Sequence, residues 1–300
     1  MSPQQSTQFS TLFDNATLAR IERLRINSHR RFTNRSRGEH LSGKGGSSTE
    51  FSDYRNYVEG DDVRFVDWNI FSRLHRPYLK LFHHEEELHV VILVDASDSM
   101  QFSDKLLRAR QLAATFGIMG LLSNERVSCW SFNDGAQEPI RIGPFSGRGN
   151  LRALIDFVER IEVGGDLPIE GAIETMLNRH SGRGIVILLS DFLTFGDLSR
   201  PFNLLFSRGL EIFTIQILAP EEIDPDVTGD ARFIDSETAQ KLDVTAASDL
   251  LSIYEEHRIA YERGIENLCS RRNGHFLSLS SAMPLKNMLF DQLMRKGWIR

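Results

Sequence analysis

The residues that could bind a cation lie in one short loop. Asp95 follows an apolar stretch, and Ser97 and Ser99 come after it at steps of two residues. In an extended loop, side chains two residues apart point to the same side, so one carboxylate and two hydroxyls can aim at one point. Oxygen ligands of this kind suit Mg²⁺ or Mn²⁺, with water filling the remaining positions. The loop therefore predicts a divalent-cation site.

Two further acids could complete this site. Asp191 follows the apolar run at 184–189, so we expect it at the end of a second strand. Asp166 ends the Gly-Gly-Asp loop at 164–166, whose glycines permit a close approach to the cation. Ligands collect outside the carboxyl ends of strands in open α/β sheets. The predicted metal ligands are Asp95, Ser97, Ser99, Asp166 and Asp191, and the expected ion is Mg²⁺, or else Mn²⁺ or Ca²⁺.

The same loop also has a structural interpretation. A bare Asp-x-Ser-x-Ser pattern is weak on its own, because it arises by chance in some chains of this length. Asp95 and Asp98 could instead cap the following helix by accepting hydrogen bonds from its first N–H groups, and the serines could do the same. A strand before the loop, a helix after it and a second acid at another strand end favour the metal site.

The elements that must position this loop are alternating strands and helices. Short apolar runs predict buried strands at 88–94, 126–132, 184–189, 210–218 and 275–279, with a short edge strand at 139–142. Apolar residues at three- and four-residue spacing predict helices at 104–122, 150–161, 168–178, 198–208, 248–272 and 284–295. This alternation predicts an α/β fold with a doubly wound, mostly parallel sheet flanked by helices.

Composition divides the chain into two parts. Residues 1–85 are expected to form a basic arm and a small N-terminal subdomain that contains β-structure, because a linker needs fewer aromatic residues. Residues 86–300 are expected to form the main domain, with a hairpin inserted near 231–244. The arginine-rich segment 20–44 favours a solvated arm, or arginines paired with the acidic body, over a patch for nucleic acid or an acidic partner.

Bulk properties argue against several classes of function. The chain of 300 residues carries a formal net charge of -6, which disfavours nonspecific nucleic-acid binding, because that binding neutralises phosphates with cationic side chains. No apolar run approaches the roughly 18 to 20 residues that cross a bilayer, and the N-terminus lacks the apolar stretch of a secretory signal. Cys129 and Cys269 lie far apart in apolar sequence, as buried thiols do. We therefore expect a cytoplasmic protein without a membrane span.

Several of these motifs resemble known families. The loop of Asp95 after an apolar strand, with the 164–166 loop and Asp191 downstream, resembles the metal-ion-dependent adhesion site (MIDAS) of von Willebrand factor A domains. Residues 50–55 (EFSDYR) and 60–68 (GDDVRFVDW) resemble the bacterial domain-of-unknown-function 58 (DUF58) family. The resemblance implies a bacterial source, a von Willebrand factor A-like or Rossmann-like fold, and work beside MoxR-type AAA+ ATPases. Such work consists of assembling other proteins, maturing them or inserting metal into them.

The resemblance also implies a role for each predicted ligand. Ser97 and Ser99 would bind the metal directly, and Asp95 and Asp191 would hold it directly or through water. An acidic side chain of the partner would complete the coordination shell. Asp166 stands where the adhesion site normally has a threonine, and an added carboxylate would weaken the pull of the site on an acidic ligand.

These features predict a non-enzymatic, chaperone-like adaptor that binds protein partners through a divalent cation. The expected partner is a MoxR-type ATPase, or its client, that offers an acidic side chain to the metal. The alternative is a metal-dependent hydrolase or phosphotransferase in which Asp95 or Asp191 activates a metal-bound water. The adaptor is favoured because neither a general base nor a phosphate-binding Gly-rich loop can be named in the sequence.

Overall fold

The computed structural model describes most of the chain. The described residues are 10–28, 49–84, 88–133, 138–165, 167–193, 197–226, 231–234, 241–244 and 251–300, with the backbone alone at 49–52, 81–84, 231–234 and 241–244. Contacts divide the chain into two compact units, a larger one of residues 1–29 with 88–300 and a smaller one of residues 30–87.

The strands and helices alternate through most of the chain. The strands are β1 (Thr49–Asn56), β2 (Tyr78–His84), β3 (His89–Asp95), β4 (Arg126–Phe132), β5 (Ile140–Phe145), β6 (Gly184–Ser190), β7 (Leu210–Leu218), β8 (Ala231–Ile234), β9 (Lys241–Val244) and β10 (His275–Ser280). The α-helices are α1 (Asn15–Ile21), α2 (Trp68–Leu74), α3 (Lys105–Leu122), α4 (Leu151–Glu159), α5 (Ile169–Arg179), α6 (Ser199–Ser207), α7 (Pro220–Ile223), α8 (Leu251–Ser270) and α9 (Leu285–Asn287). Short 3-10 segments occur at Val63–Phe65, Asp98–Asp104 and Arg148–Asn150, and a π-helical segment at Met288–Leu293. Within the described residues, no helix combines the length and hydropathy needed to cross a bilayer.

The larger unit is built on one sheet. Among the described residues, six strands form it in the order β10-β7-β6-β3-β4-β5, and all neighbours are parallel except β5, which runs antiparallel to β4. The α/β class with a mostly parallel sheet flanked by helices is therefore confirmed. The chain continues from β3 to β4 on one side and from β6 to β7 on the other, so the strand order reverses between β3 and β6. At such a reversal a crevice opens at the carboxyl ends of the strands.

Burial on both faces of the sheet fixes the central strand. Val90, Ile92 and Val94 of β3 pack in one apolar cluster with α3 and α4, and the residues between them pack in a second cluster with α5 and α6. Every residue of β3 after the first is buried, as expected for a central strand covered on both sides. This packing holds Asp95, the last residue of the strand, at the carboxyl edge of the sheet.

The structure differs from the composition-based division in the N-terminal region. Residues 10–28 belong to the larger unit, whereas the sequence groups residues 1–85 as a basic arm and a small subdomain apart from the main domain. Leu12 and Ile21 are buried in the main apolar cluster, and Ile26 forms an isolated antiparallel bridge with Ile299. Composition did not predict this placement, because the partners of this short segment lie far away in the sequence.

The basic segment at 20–44 is described only as far as residue 28. Within that part, the Arg20 guanidinium lies 3.7 Å from the centre of the Phe290 ring. Arg25 donates hydrogen bonds of 2.9 and 2.7 Å to the backbone carbonyls of Glu22 and Leu24. Arg20 therefore contacts a distant part of the larger unit, whereas Arg25 bonds to its own turn. Arg23 is exposed, and the four arginines after residue 28 lie outside the described residues.

The described part of the smaller unit is a β-hairpin that carries a short helix. β1 and β2 pair antiparallel, and α2 lies between them in the chain. Asp67 is buried and caps α2, accepting hydrogen bonds of 2.9 and 3.1 Å from the N–H groups of Asn69 and Ile70. It also meets the Lys80 ammonium at 3.0 Å and the Tyr54 hydroxyl at 3.2 Å. The bond from Lys80, with those from the helix, keeps the pKa of Asp67 below its usual value despite burial. One carboxylate thus starts the helix and joins it to the hairpin.

Two short strands interrupt the alternation late in the chain. β8 and β9 pair antiparallel, with Ala231 opposite Val244 and Ile234 opposite Lys241. They lie at 231–244, where the sequence predicts an inserted hairpin. The long helix α8 follows, and its Tyr254 hydroxyl donates a hydrogen bond of 2.6 Å to the Glu222 carbonyl.

Candidate metal site

The loop after β3 brings the two serine hydroxyls together. Ser97 Oγ and Ser99 Oγ lie 3.1 Å apart, and Ser99 Oγ donates a hydrogen bond of 2.7 Å to Asp191 Oδ2. Ser97 precedes the first residue of a 3-10 segment, but its side chain makes no capping hydrogen bond there. The hydroxyls therefore converge on each other and on a distant carboxylate, rather than on the following helix as the capping interpretation requires.

Asp95 is held by donors from two loops and from the last residue of strand β6. Its Oδ1 accepts hydrogen bonds from the Ser97 N–H at 2.9 Å and from Asn133 Nδ2 at 3.4 Å, and its Oδ2 accepts one of 2.6 Å from Ser190 Oγ. Burial raises the pKa of Asp95, and the charge of Asp191 raises it further. A cation bound here would relieve both effects, because it favours the ionised carboxylate.

Asp191 reaches the same place from β6. The register pairs Val94 of β3 with Leu189 of β6, so the two strands end side by side. Asp191 Oδ1 accepts a hydrogen bond of 3.0 Å from the Leu193 N–H, and its backbone carbonyl accepts one of 2.9 Å from Gln216 Nε2. Asp191 is therefore oriented by its own loop and by strand β7, with one oxygen turned towards the serines.

A buried lysine that the sequence did not single out neutralises Asp191. Lys105 is completely buried, and its Nζ lies 2.8 Å from Asp191 Oδ2 and 2.7 Å from Glu222 Oε1. An ammonium group so deeply buried is stable only when it is paired. No local signal could have identified Lys105, since a lysine at a helix start usually lies in solvent and its partners are far away in sequence.

Unusual backbone conformations adjoin this site. Ser103, at φ 45°, and Phe192, at φ 56°, adopt the left-handed conformation that is uncommon for such residues. Phe192 directly follows Asp191, donates its N–H to Ser190 Oγ at 2.9 Å and accepts a hydrogen bond from the Tyr261 hydroxyl. Strained backbone persists only where its surroundings hold it, and it is frequent at functional sites.

The Gly-Gly loop also contacts the site. The Gly164 N–H donates a hydrogen bond of 2.8 Å to the Ala96 carbonyl. The Asn133 side chain donates one of 3.1 Å to the Leu167 carbonyl and accepts another from the Leu167 N–H. Asp166 lies outside the described residues, so its role as a ligand stays a prediction, whereas the other predicted ligands are brought together.

The donor set fits a hard cation. Ser97, Asp95 and Asp191 are buried, and Ser99 is partly exposed, so the site opens to solvent at Ser99. In the described part of the chain, no three His, Cys, Asp or Glu side chains form a potential metal cluster. A cation would therefore depend on two hydroxyls, two acids and oxygens from water or a partner, which is a set that Mg²⁺ accepts.

Comparison with known sequences identifies relatives. The family model described as "Protein of unknown function DUF58" matches residues 53–263. Uncharacterized proteins of Mycobacterium tuberculosis and Mycobacterium bovis are 29% identical over 209 residues, which is 67% of this chain and 65% of each relative. The match therefore spans slightly less than two thirds of the length of these curated relatives.

Comparison with solved structures finds remote similarity. BatB, a conserved hypothetical protein from Bacteroides thetaiotaomicron, has 15% identity and a TM-score of 0.44, over 70% of this chain and 98% of that one. An aerotolerance-related membrane protein from Bacteroides fragilis has 14% identity and a TM-score of 0.42, over 69% of this chain and 97% of that one. Similarity at this level carries no argument about function.

Proposed function

This chain belongs to the DUF58 family, and we propose that it is a non-enzymatic adaptor whose binding of protein partners depends on a divalent cation. One observation carries the proposal: two serine hydroxyls and two buried carboxylates converge where the strand order of the sheet reverses. Ligand sites in open α/β sheets occur at such places. The motif resemblance to the MIDAS of von Willebrand factor A domains supports the same proposal.

In the proposed site, Ser97 and Ser99 bind the cation directly, and Asp95 and Asp191 hold it directly or through water. The bound cation supplies a positive charge that attracts an acidic side chain of the partner. The surrounding residues fix the geometry, because Ser190 orients Asp95 and the buried lysine orients Asp191. Asp166 would add negative charge and so weaken the pull on an acidic partner.

The proposed partner is a MoxR-type AAA+ ATPase, or its client, in the cytoplasm. Support comes from the family resemblance and from the exposure of the site at Ser99 and Asp98. A partner's carboxylate can reach the cation from that side. The protein would then act in assembly or maturation of other proteins, with the ATPase supplying the energy.

Thermal unfolding with Mg²⁺, Mn²⁺, Ca²⁺ or EDTA tests cation binding. A cation that binds only the folded state raises the melting temperature, and at a hundred times its Kd it adds about 2.7 kcal/mol to the free energy of unfolding. We expect this rise for the wild type and its loss in the double variant Ser97→Ala, Ser99→Ala. The matched control is Ser207→Ala with Ser270→Ala, which removes two exposed hydroxyls and should keep the rise. Equal rises in both double variants would contradict the proposal.

The enzyme alternative makes a different prediction. Metal-dependent turnover of p-nitrophenyl phosphate that disappears in Asp95→Ala would identify a hydrolase or phosphotransferase. The adaptor predicts no such turnover. It predicts capture of the ATPase or its client that EDTA abolishes, and capture that persists in EDTA would exclude a cation-bridged partner.

A further inference from the structure

Helix α2 of the smaller unit exposes an apolar stripe. Trp68, Phe71 and Leu74 lie at three-residue spacing, which places them near one another on the helix surface. Their exposed fractions are 61%, 37% and 60%. The rings of Trp68 and Phe71 meet edge to face, with centroids 5.9 Å apart. Single exposed apolar residues are common on proteins, but a group of them, rich in aromatic rings, marks an interaction site. We call these three residues the α2 stripe.

The helix that carries the α2 stripe is fixed at both ends. At its start, the buried carboxylate of Asp67 caps the helix and is bound to Lys80 and Tyr54 of the hairpin. At its end, His75 adopts the left-handed conformation at φ 52° and donates its N–H to the Phe71 carbonyl at 2.9 Å. A preformed helix loses little conformational freedom on binding, so a partner would meet a surface that is already ordered.

Two arginines beside the α2 stripe carry charge that the described residues do not neutralise. The ion pairs in the described part of this unit are Arg55–Asp61, Arg64–Asp62 and Lys80–Asp67. Arg73 and Arg76 are exposed, and no ion pair joins either of them to another described residue. Aromatic and arginine side chains together form the typical centre of a protein interface. The positive charge of Arg73 and Arg76 favours an acidic partner.

We propose that the α2 stripe, with Arg73 and Arg76, is a docking surface for a partner protein that presents an acidic amphipathic helix. The apolar face of the partner's helix would cover the α2 stripe, and the carboxylates of that helix would pair with the two arginines. An anionic membrane is the less favoured occupant, because each basic residue adds only about 1 kcal/mol at such a surface and the chain carries a net charge of -6. This docking uses no residue of the candidate cation site.

Tryptophan fluorescence reports occupation of the α2 stripe directly. Trp130 and Trp298, the other two tryptophans, are each 2% exposed, so changes at the surface come from Trp68. The probe is a synthetic peptide of about 18 residues, or five helical turns, with leucines on one face and glutamates on the other. In EDTA, we expect a saturable blue shift of the Trp68 emission, with an affinity that falls as salt rises. A peptide with lysines in place of the glutamates, and an acidic peptide scrambled to remove the apolar face, should not bind.

Anisotropy of the fluorescein-labelled acidic peptide measures the variants. We expect Trp68→Ala and Arg73→Glu each to weaken binding about tenfold, as loss of a central contact does. The control Arg263→Glu makes the same charge change at an exposed position of α8 and should alter binding less than about twofold. The melting temperature of each variant is the control for folding. We expect it to be unchanged, because the replaced side chains are exposed.

Several results would overturn the proposal. They are absence of saturable binding at millimolar peptide, equal binding of the lysine peptide, and a stronger blue shift with phosphatidylglycerol vesicles than with the acidic peptide. Shielding of Trp68 from acrylamide in the dilute free chain would show that the chain itself covers the α2 stripe. Shielding that increases with protein concentration would assign it to a second copy. Every measurement is made in EDTA, which removes divalent cations. Failure of the peptide to bind would therefore say nothing against the proposed cation-dependent function.

Discussion

At the carboxyl edge of the central sheet, charged side chains are buried, whereas on helix α2 apolar side chains are exposed. Asp95, Asp191 and Lys105 lie inside the larger unit, and each is hydrogen-bonded. Trp68 and Leu74 lie on the surface of the smaller unit. Both regions reverse the usual distribution of polar and apolar groups.

The difference between the two regions lies in where their partners come from. A buried charge must be paired within the molecule, because an unpaired one costs several kcal/mol. An exposed apolar side chain costs the folded state little, and it gains about 25 cal/mol per Å² when a partner covers it. The polar side chains at the carboxyl edge of the sheet are therefore held in place by one another, as a site for an ion requires. The α2 stripe is organised for a protein that supplies the missing apolar cover.

The buried lysine and a core tryptophan share the greatest expected effect on stability, and the lysine is considered first. Lys105→Met leaves Asp191 buried without its ammonium partner, and we expect a loss of about 3–5 kcal/mol in the free energy of unfolding. Urea unfolding at neutral pH measures it. Lys286→Met is the matched control, because this lysine is half-exposed and lies 3.9 Å from its acid, and it should change stability by less than about 1 kcal/mol. Similar losses in both variants would contradict the special role of the buried pair.

A second comparison uses two tryptophans in opposite environments. Trp130→Ala removes a core side chain, so we expect a loss of about 3–5 kcal/mol. Trp68→Ala removes an exposed one, so the change should stay within about 0.5 kcal/mol. Both are measured by urea unfolding of the isolated chain. A large loss for Trp68→Ala would mean that the α2 stripe serves the fold rather than a partner.

The two ends of β3 should respond differently to pH. At the end opposite Asp95, burial lowers the pKa of His89 to about 4, helped by the charges of His180 and Arg126. Between pH 6.5 and 4 the unfolded chain takes up a proton that the folded His89 refuses, so stability falls as pH falls through this range. With an allowance for partial exposure, we expect a loss of about 1–2 kcal/mol. Urea unfolding across this range should show a smaller loss in His89→Gln than in the wild type, and the exposed His257→Gln should leave it unchanged.

The smallest expected effect is local to α2. Asp67→Ala removes the cap of the helix and its tie to Lys80, so we expect backbone amides of residues 68–74 to exchange about five to ten times faster. Hydrogen exchange with mass spectrometry measures this. The cation-induced rise in melting temperature should be unchanged, because Asp67 belongs to the other unit. Glu59→Ala, an exposed acid of the same unit, is the control, and equal exchange in both variants would rule out anchoring by Asp67.

The ends of the strands were predictable, because an apolar run and the polar residues that follow it are neighbours in the sequence. The sequence predicts a strand at 88–94, and the structure has β3 at His89–Asp95. That local pattern was enough to place Asp95 and Asp191 at strand ends and to predict that they face the same region. The structure places Ser97 and Ser99 with them, and their proposed role as ligands stays to be measured.

Other features were not predictable, because their partners lie far apart in the sequence. Lys105 meets Glu222, which lies 117 residues away. The aromatic stretch around Trp68 indicated a folded subdomain, but its spacing could not tell a packed face from an exposed one. Residues 10–28 gave no sign that they belong to the larger unit.

The α/β class, most of the strands and helices, and the oxygen-rich loop of Asp95 follow from the amino-acid sequence, because hydrophobic periodicity and loop composition depend on neighbouring residues. The strand order, the pairing of Lys105 with Asp191 and the exposure of the α2 stripe are visible only in the folded molecule. Those features depend on which distant segments pack together, and a packed arrangement is settled by the energy of the whole core rather than by local preference.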